Sequence, residues 1–265
     1  MLRVYPICPS VPAQEDLEVI VVDAGGSDGT MALVKSIAGD LAEINVRSDV
    51  VGGGGRGPTL SAGVAASSGS ILLFLHADTM LPRGFDIDVR TALAREKSLA
   101  TAFRFHVTRD PTCPIVGLGT MERTVHYRSS IVQLPFGDQA LAITKQRFDA
   151  LGGFPPGAPI MEDFELVQKL RRCGAAGAGW IVTLDAATEC SGRRWATLGV
   201  WRANLLNQVI MVAYTFGGAS TKDIYDWYYC SKGPASILKK ALRTTLPGRA
   251  VARVLRAVGV LATDP

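Results

Sequence analysis

Glu18-Val-Ile-Val-Val-Asp23, running into Gly25-Gly26-Ser27-Asp28-Gly29-Thr30, is the stretch on which the fold turns. An unbroken apolar run has no solvent face, so it reads as a strand buried on both sides, as in a parallel sheet covered by helices. The small residues after it make a turn, and Ser27 or Asp28 is placed to cap a helix running to about Ala38. The alternation continues downstream. Ile44-Asn45-Val46 is a weak second strand, and after a glycine-rich loop Pro58 suits the first position of a small-residue helix. Ser70-Ile-Leu-Leu-Phe-Leu75 is the strongest strand and runs straight into His76-Ala77-Asp78. Pro82 starts another helix, and Leu99–Val107 alternates as a half-buried strand. Residues 160–172 form an amphipathic helix, Trp180–Leu184 a strand, and the periodicity beyond Arg193 is helical. The expected fold class is α/β: a Rossmann-like, mostly parallel sheet flanked by helices, with a helical C-terminal extension. The boundary is set at 1–192 for the α/β domain and 193–265 for the helical region.

Composition agrees with that reading. The chain has 265 residues, 48% of them hydrophobic, 20% charged, with 28 Gly, which excludes a disordered or collagen-like chain and is ample for a sizeable core. The net charge of +4 is unevenly spread. Residues 231–265 hold Lys232, Lys239, Lys240, Arg243, Arg249, Arg253 and Arg256 against Asp264 alone, while the remaining 230 carry 21 bases and 23 acids. A slightly acidic body is no footprint for nucleic acid. In the tail, Arg249, Arg253 and Arg256 share one helical stripe opposite Val251, Val254, Leu255 and Val258. Such a segment either lies on an anionic membrane surface as a peripheral contact or packs its apolar side on the body. Five scattered cysteines with no C-x-x-C fit reduced thiols in a cytoplasmic compartment. No apolar run reaches the ~18 residues of a membrane span. Pro6, Pro9 and Pro12 interrupt any signal-peptide pattern, and the leader is too short to read an organellar address.

Several constellations carry chemistry. Asp23 and Asp78 each follow a strand, and strand ends on one sheet edge face one crevice. A hard cation binds through one or two carboxylates plus phosphate oxygens, so Asp78 with His76 is a candidate metal and diphosphate anchor. Equally, Asp78 caps the turn before Pro82 and His76 packs inward. Gly52-Gly53-Gly54-Gly55-Arg56-Gly57 contains a literal G-x-G-x-x-G, with Asp78 21 residues beyond its last glycine. A dinucleotide motif should follow its strand directly, however, and Ser48–Val51 intervene, so the loop reads better as flexible, with Arg56 at the crevice mouth. Met161-Glu162-Asp163-Phe164-Glu165 puts three acids in a first helical turn, where the helix dipole favours them; one is also a candidate general base. Ser191-Gly192-Arg193-Arg194-Trp195 offers two guanidinium groups to a leaving diphosphate, or a solvated helix start. The aromatics Tyr225, Trp227, Tyr228 and Tyr229 suit sugar stacking less than core packing or an interface.

Five blocks in order resemble family 2 glycosyltransferases of the GT-A fold: Val19–Thr30 (VIVVDAGGSDGT), Gly55–Gly63 (GRGPTLSAG), Leu72–Pro82 (LLFLHADTMLP), Phe136–Leu141 (FGDQAL) and Gly152–Leu170. The FLHADT, FGDQ, IMED and RRW elements are most similar to the subgroup named for arsenosugar biosynthesis. The resemblance implies an enzyme moving a sugar from a nucleotide-diphospho-sugar donor to a hydroxyl acceptor, small or lipid-linked, with inversion and a divalent cation, Mg²⁺ or Mn²⁺. It implies Asp23, Gly25, Asp28, Arg56, His76, Asp78, Arg193 and Arg194 on the nucleotide-sugar, with Asp78 and His76 toward the metal. Asp163 is implied as the base with Glu162 beside it, and Asp138, Gln139 and Trp195 on the acceptor side. Two departures stand out. The family's usual strand, turn and helix ahead of VIVVD have only 17 residues here, so the first strand and part of the nucleotide pocket are expected to be missing. Thr59 and Ser61 stand where the subgroup tends to have Gln and Asn, and a hydroxyl does not reproduce an amide's two-sided hydrogen bonding. Two other functions fit the same residues: a non-catalytic nucleotide- or partner-binding module, and a dinucleotide-dependent oxidoreductase using the Gly52–Gly57 loop.

Overall fold

The structure, a computed structural model, describes residues 17–26, 29–40, 45–51, 53–109 and 114–229. Asp28 and the basic stretch 231–265, with its expected membrane contact, lie outside the described residues. The elements run β1 (Glu18–Asp23), α1 (Thr30–Asp40), β2 (Asn45–Val51), α2 (Arg56–Ala66), β3 (Ile71–Leu73), β4 (Thr79–Met80), α3 (Phe85–Leu93) and β5 (Ser98–Val107). They continue as α4 (Leu118–Ser130), a 3₁₀ turn at Gly137–Gln139, β6 (Ala142–Thr144), α5 (Lys145–Ala150), α6 (Glu162–Ala175) and β7 (Trp180–Cys190). The helices α7 (Arg193–Leu198), α8 (Val200–Phe216) and α9 (Thr221–Tyr229) close the described chain.

The α/β class holds, and the strand directions correct the expectation of a mostly parallel sheet. β1 and β2 pair in parallel, and a five-stranded sheet follows the order β3-β6-β5-β7-β4. Within it only β5 and β7 are parallel; β3–β6, β5–β6 and β4–β7 are antiparallel. The sheet is therefore mixed, with β6 and β4 running against the other three. Strands of two or three residues carry too little pattern to be seen in a sequence, and hydrophobicity reports burial rather than direction. β5 also departs from its half-buried reading, since only Arg104 is exposed and His106 half-buried along its ten residues. It is covered on both faces, by α6 on one side and α3 on the other.

Two apolar clusters position the later chemistry. Phe74, at the end of β3, packs edge-on against Phe154 (4.8 Å) and tilted against Phe148 (5.6 Å), beneath the buried Leu166 and Leu170 of α6. This fixes α6 across the sheet. At its other end, Leu206 and Ile210 of α8 and Ile224 and Trp227 of α9 bury themselves on Ile160, Met161 and Phe164. At roughly 1.5–3 kcal/mol for each large apolar side chain removed from water, this packing braces the first turn of α6 strongly. Trp227 is core, so it is no sugar platform. Among the described residues no helix is long and apolar enough to cross a membrane.

Candidate active site

Three loops converge at the strand ends: the one after β3 carrying His76 and Asp78, the 3₁₀ turn at Gly137–Gln139, and the start of α6. Met161 enters α6 in a left-handed conformation (φ +70°), unusual for a residue with a side chain, and its burial among the α8–α9 cluster holds it there. That bend sets the directions of the two acids that follow. Glu162 points into the protein and is fully enclosed, while the Asp163 side chain keeps 16% of its exposure.

Asp163 is held by three groups. Its Oδ2 accepts the Gly137 N–H at 2.7 Å, and its Oδ1 accepts the Phe164 N–H at 2.8 Å. Arg56, at the start of α2, donates from Nε to Glu162 Oε1 at 2.8 Å and places Nη2 3.7 Å from Asp163 Oδ1. His76 lies close by: a Cβ placed on Gly137 would sit 2.7 Å from His76 Nε2 and 3.0 Å from Asp163 Oδ2. Glycine at 137 is required because the imidazole and the carboxylate both close on it. Several buried polar atoms around this point have no partner, namely His76 Nε2, Asp138 Oδ1, Glu162 Oε2 and Arg128 Nε. Unpaired groups at one place are what a site presents to a ligand.

The electrostatics separate the acids. Burial works against charge on Asp163, but Arg56, the Gly137 N–H, His76 and the Phe164 N–H outweigh it and hold its carboxyl below the usual aspartate range. Burial pushes Glu162 up to about 7, Asp163 adding to the shift and Arg56 opposing it. Asp138 is also raised by burial, against the pull of Arg128 and His76. His76 is lowered by burial and by Arg56, which favours a neutral imidazole. One ionised carboxylate, partly open and flanked by neutral or cationic groups, is the arrangement a general base needs.

Other expected site residues sit differently. Gln139 is fully buried, donates from Nε2 to Phe103 O (2.8 Å) and accepts from Ser129 Oγ (2.7 Å) and Arg128 Nη2 (3.3 Å). Its polar atoms are engaged inside the protein, so it positions the turn rather than meeting an acceptor. Glu162 is enclosed as well, its Oε1 on Arg56 and its Oε2 without a partner. Trp195 packs edge-on against Phe105 at 5.6 Å beside an apolar cluster, its buried Nε1 without a hydrogen-bond partner. Arg193 is exposed and hydrogen-bonds Ser191 Oγ at 3.1 Å. Arg194 is the member of that pair that borders the cluster, with Asn207 Oδ1 2.8 Å away, its guanidinium 4.6 Å over the Tyr228 ring, and charge interactions with Asp138 and Arg56. Asp23, at the end of β1, turns its Oδ2 to the Gly26 N–H at 3.0 Å, and Gly25 supplies the turn at φ +92°.

His76 and Asp78 lie in different surroundings. Asp78 is exposed, its carbonyl receiving the Ser191 N–H at 2.9 Å, whereas His76 Nε2 is buried toward Gly137 and Asp163. Among the described residues no three His, Cys, Asp or Glu side chains converge to hold a metal ion. The exposed carboxylate of Asp78 fits a hard cation whose other ligands are phosphate oxygens and water. Thr59 and Ser61 return their hydroxyls to Gly55 O and Gly57 O, each at 2.8 Å, so both are spent within α2. The residue missed in the sequence is Arg128 of α4. Its guanidinium lies 3.6 Å from the Phe136 ring centroid and interacts with Asp138 and Asp163. The only sequence signal for α4 is a narrow apolar stripe of Leu118, Met121 and Val125 at helical spacing.

Comparison with known proteins gives this geometry a context. Residues 9–113 match the profile of glycosyl transferase family 2. Among solved structures, the fold is similar to mannosyltransferase PcManGT from Pyrobaculum calidifontis, in complex with GDP-Man and Mn²⁺. The TM-score is 0.53 at 16% identity, over 92% of this chain and 72% of that one. It is also similar to GalNAc-T7, crystallised with UDP, GalNAc and Mn²⁺, at a TM-score of 0.50 and 15% identity, over 93% of this chain and 52% of that one. No curated protein matches the sequence. The fold is that of GT-A glycosyltransferases, and the family 2 profile matches residues 9–113, less than half of the chain.

Proposed function

We propose that the protein transfers a glycosyl group from a nucleotide-diphospho-sugar to an acceptor hydroxyl with inversion, Asp163 acting as the base. The observation that carries this reading is the Asp163 carboxylate, kept ionised and partly exposed where His76, Arg56 and the Gly137 N–H meet. In a single displacement the acceptor oxygen forms a bond to the anomeric carbon as the bond to the diphosphate oxygen breaks. The acceptor proton passes to Asp163, and the nucleoside diphosphate leaves with the bonding electrons. Arg194 and Arg128 border the cluster and would face the developing negative charge. Asp78 would hold a divalent cation, Mg²⁺ or Mn²⁺, which neutralises diphosphate charge when bound. The FLHADT, FGDQ, IMED and RRW blocks support placement near the arsenosugar-associated subgroup.

GDP-Man and UDP in the structural neighbours make UDP- and GDP-sugars with Mn²⁺ the first donors to screen. With a donor in hand, Asp163→Asn is expected to lower kcat by roughly 10²–10⁴, the usual contribution of a general base. Nucleotide-dependent thermal stabilisation should persist in that variant. Unchanged turnover, or loss of nucleotide binding, would overturn the assignment.

A further inference from the structure

The glycine-rich loop joining β2 to α2 invites a reading as a phosphate cradle. Its contacts are instead with the segment that leads into the acid pair. Gly55 sits at φ +108°, and a Cβ there or on Gly57 would overlap the backbone of Pro159 and Ala158 respectively. Between them the Arg56 N–H donates to Pro159 O at 2.8 Å, and the Arg56 side chain reaches on to Glu162 (2.8 Å) and Asp163 (3.7 Å). We propose that Gly55-Arg56-Gly57 is a positioning clamp for the catalytic carboxylate. The two glycines let the Ala158–Pro159 backbone seat on the start of α2, and Arg56 bridges the buried Glu162 and Asp163 so that Asp163 remains charged and aimed outward. The inference rests on Asp163 being the base.

The physical need is plain. Two adjacent carboxylates in a poorly hydrated site share one proton unless a cation sits between them. Arg56 is the cation within ion-pair distance of both oxygens. The other charged or titratable groups around the pair are His76 after β3, Arg128 of α4, Asp138 of the 3₁₀ turn, Arg194 of α7 and Tyr229 of α9. None of these is paired with Glu162 Oε1. Arg56 and Glu162 are thus positioning residues, acting on the substrate only through Asp163.

The test compares Arg56→Met, Glu162→Gln and the double variant in the full chain, with Arg56→Lys as a variant that keeps the charge. Arg56→Met is expected to move the acidic limb of the kcat/KM–pH profile up by about one unit, roughly a tenfold loss below it, with the donor KM nearly unchanged. Adding Glu162→Gln replaces an acid that burial already keeps protonated at the pH of that limb, and should leave the limb where Arg56→Met puts it. Arg56→Lys should move it in the same direction by less. A raised donor KM with an unmoved limb, or a limb that Glu162→Gln returns to its original position, would overturn the clamp. A ¹³C titration of the Asp163 carboxyl in the free protein reports the same effect without turnover. If that carboxyl does not respond to Arg56→Met, the clamp fails whatever Asp163→Asn shows. If it responds while Asp163→Asn retains turnover, the base assignment fails and the control of this carboxyl by Arg56 stands.

Discussion

Gly57→Ala sets two physical effects of opposite sign against each other. Gly57 is the second residue of α2, and alanine in an exposed helix is worth up to about 1 kcal/mol over glycine. On propensity alone the substitution stabilises. The new Cβ, however, would overlap the Ala158 carbonyl oxygen and lie 3.3 Å from its carbon and 3.4 Å from Glu162 Cβ. The obstacle is backbone, so relief requires the 158–159 segment to withdraw by roughly 1 Å to reach ordinary contact distances. That costs about 2 kcal/mol as overpacking. It also stretches the Arg56 N–H bond to Pro159 O, worth a further ~1 kcal/mol. After the propensity gain, the net expectation is a loss of about 2 kcal/mol, or a Tm lower by roughly 4–8 °C for a chain of this size. Gly119 in α4 is the control: a Cβ there meets nothing within 4 Å, so Gly119→Ala should hold or raise Tm. Thermal unfolding followed by circular dichroism reads both. A Tm for Gly57→Ala equal to or above that of the parent, with Gly119→Ala behaving as expected, would refute the packing argument.

Two further outcomes follow from the same geometry. Glu162 is pushed up to about 7, above its unfolded value, so between about pH 4.5 and 7 the native state holds the extra proton and stability falls as pH rises. His76, lowered in the native state, works the other way below its ordinary value. The urea midpoint of Glu162→Gln minus that of the parent, measured across pH 4–8, therefore isolates the Glu162 contribution and should grow with pH; a flat difference would contradict it. Gln139→Ala takes the partner from the Phe103 carbonyl and from the Phe136 N–H in a buried site and leaves a cavity, an expected loss of about 3–5 kcal/mol by urea unfolding. A loss under 1 kcal/mol would show that Gln139 is not the internal brace described.

Much of this protein was legible in the chain itself. The apolar runs at Glu18–Asp23 and around Leu72 located two strands, although β1 is half-buried with Val19 exposed, rather than dry on both faces as its composition suggested. The acids at 78 and 162–163 stood out as candidates, because carboxylates at strand ends and helix starts are where such chemistry is built; Asp138 came only from the resemblance of its FGDQAL block. β2 was underestimated: it runs to Val51, so the glycine loop does follow a strand directly, contrary to its reading as a detached loop.

Tertiary structure alone decided the rest. Strand direction was hidden because periodicity records which face is wet, and a sheet dry on both faces looks alike in either direction. Glu162 and Asp163 could not be told apart, because neighbours on a helix point about 100° apart and only the docking of α6 decides which faces the crevice. Here the left-handed Met161 and the α8–α9 packing turn Glu162 inward and Asp163 outward. Gln139 and the Gly55-Arg56-Gly57 loop had the residue types of ligand contacts. What they contact is protein: residues distant in sequence, brought within 3 Å by the fold.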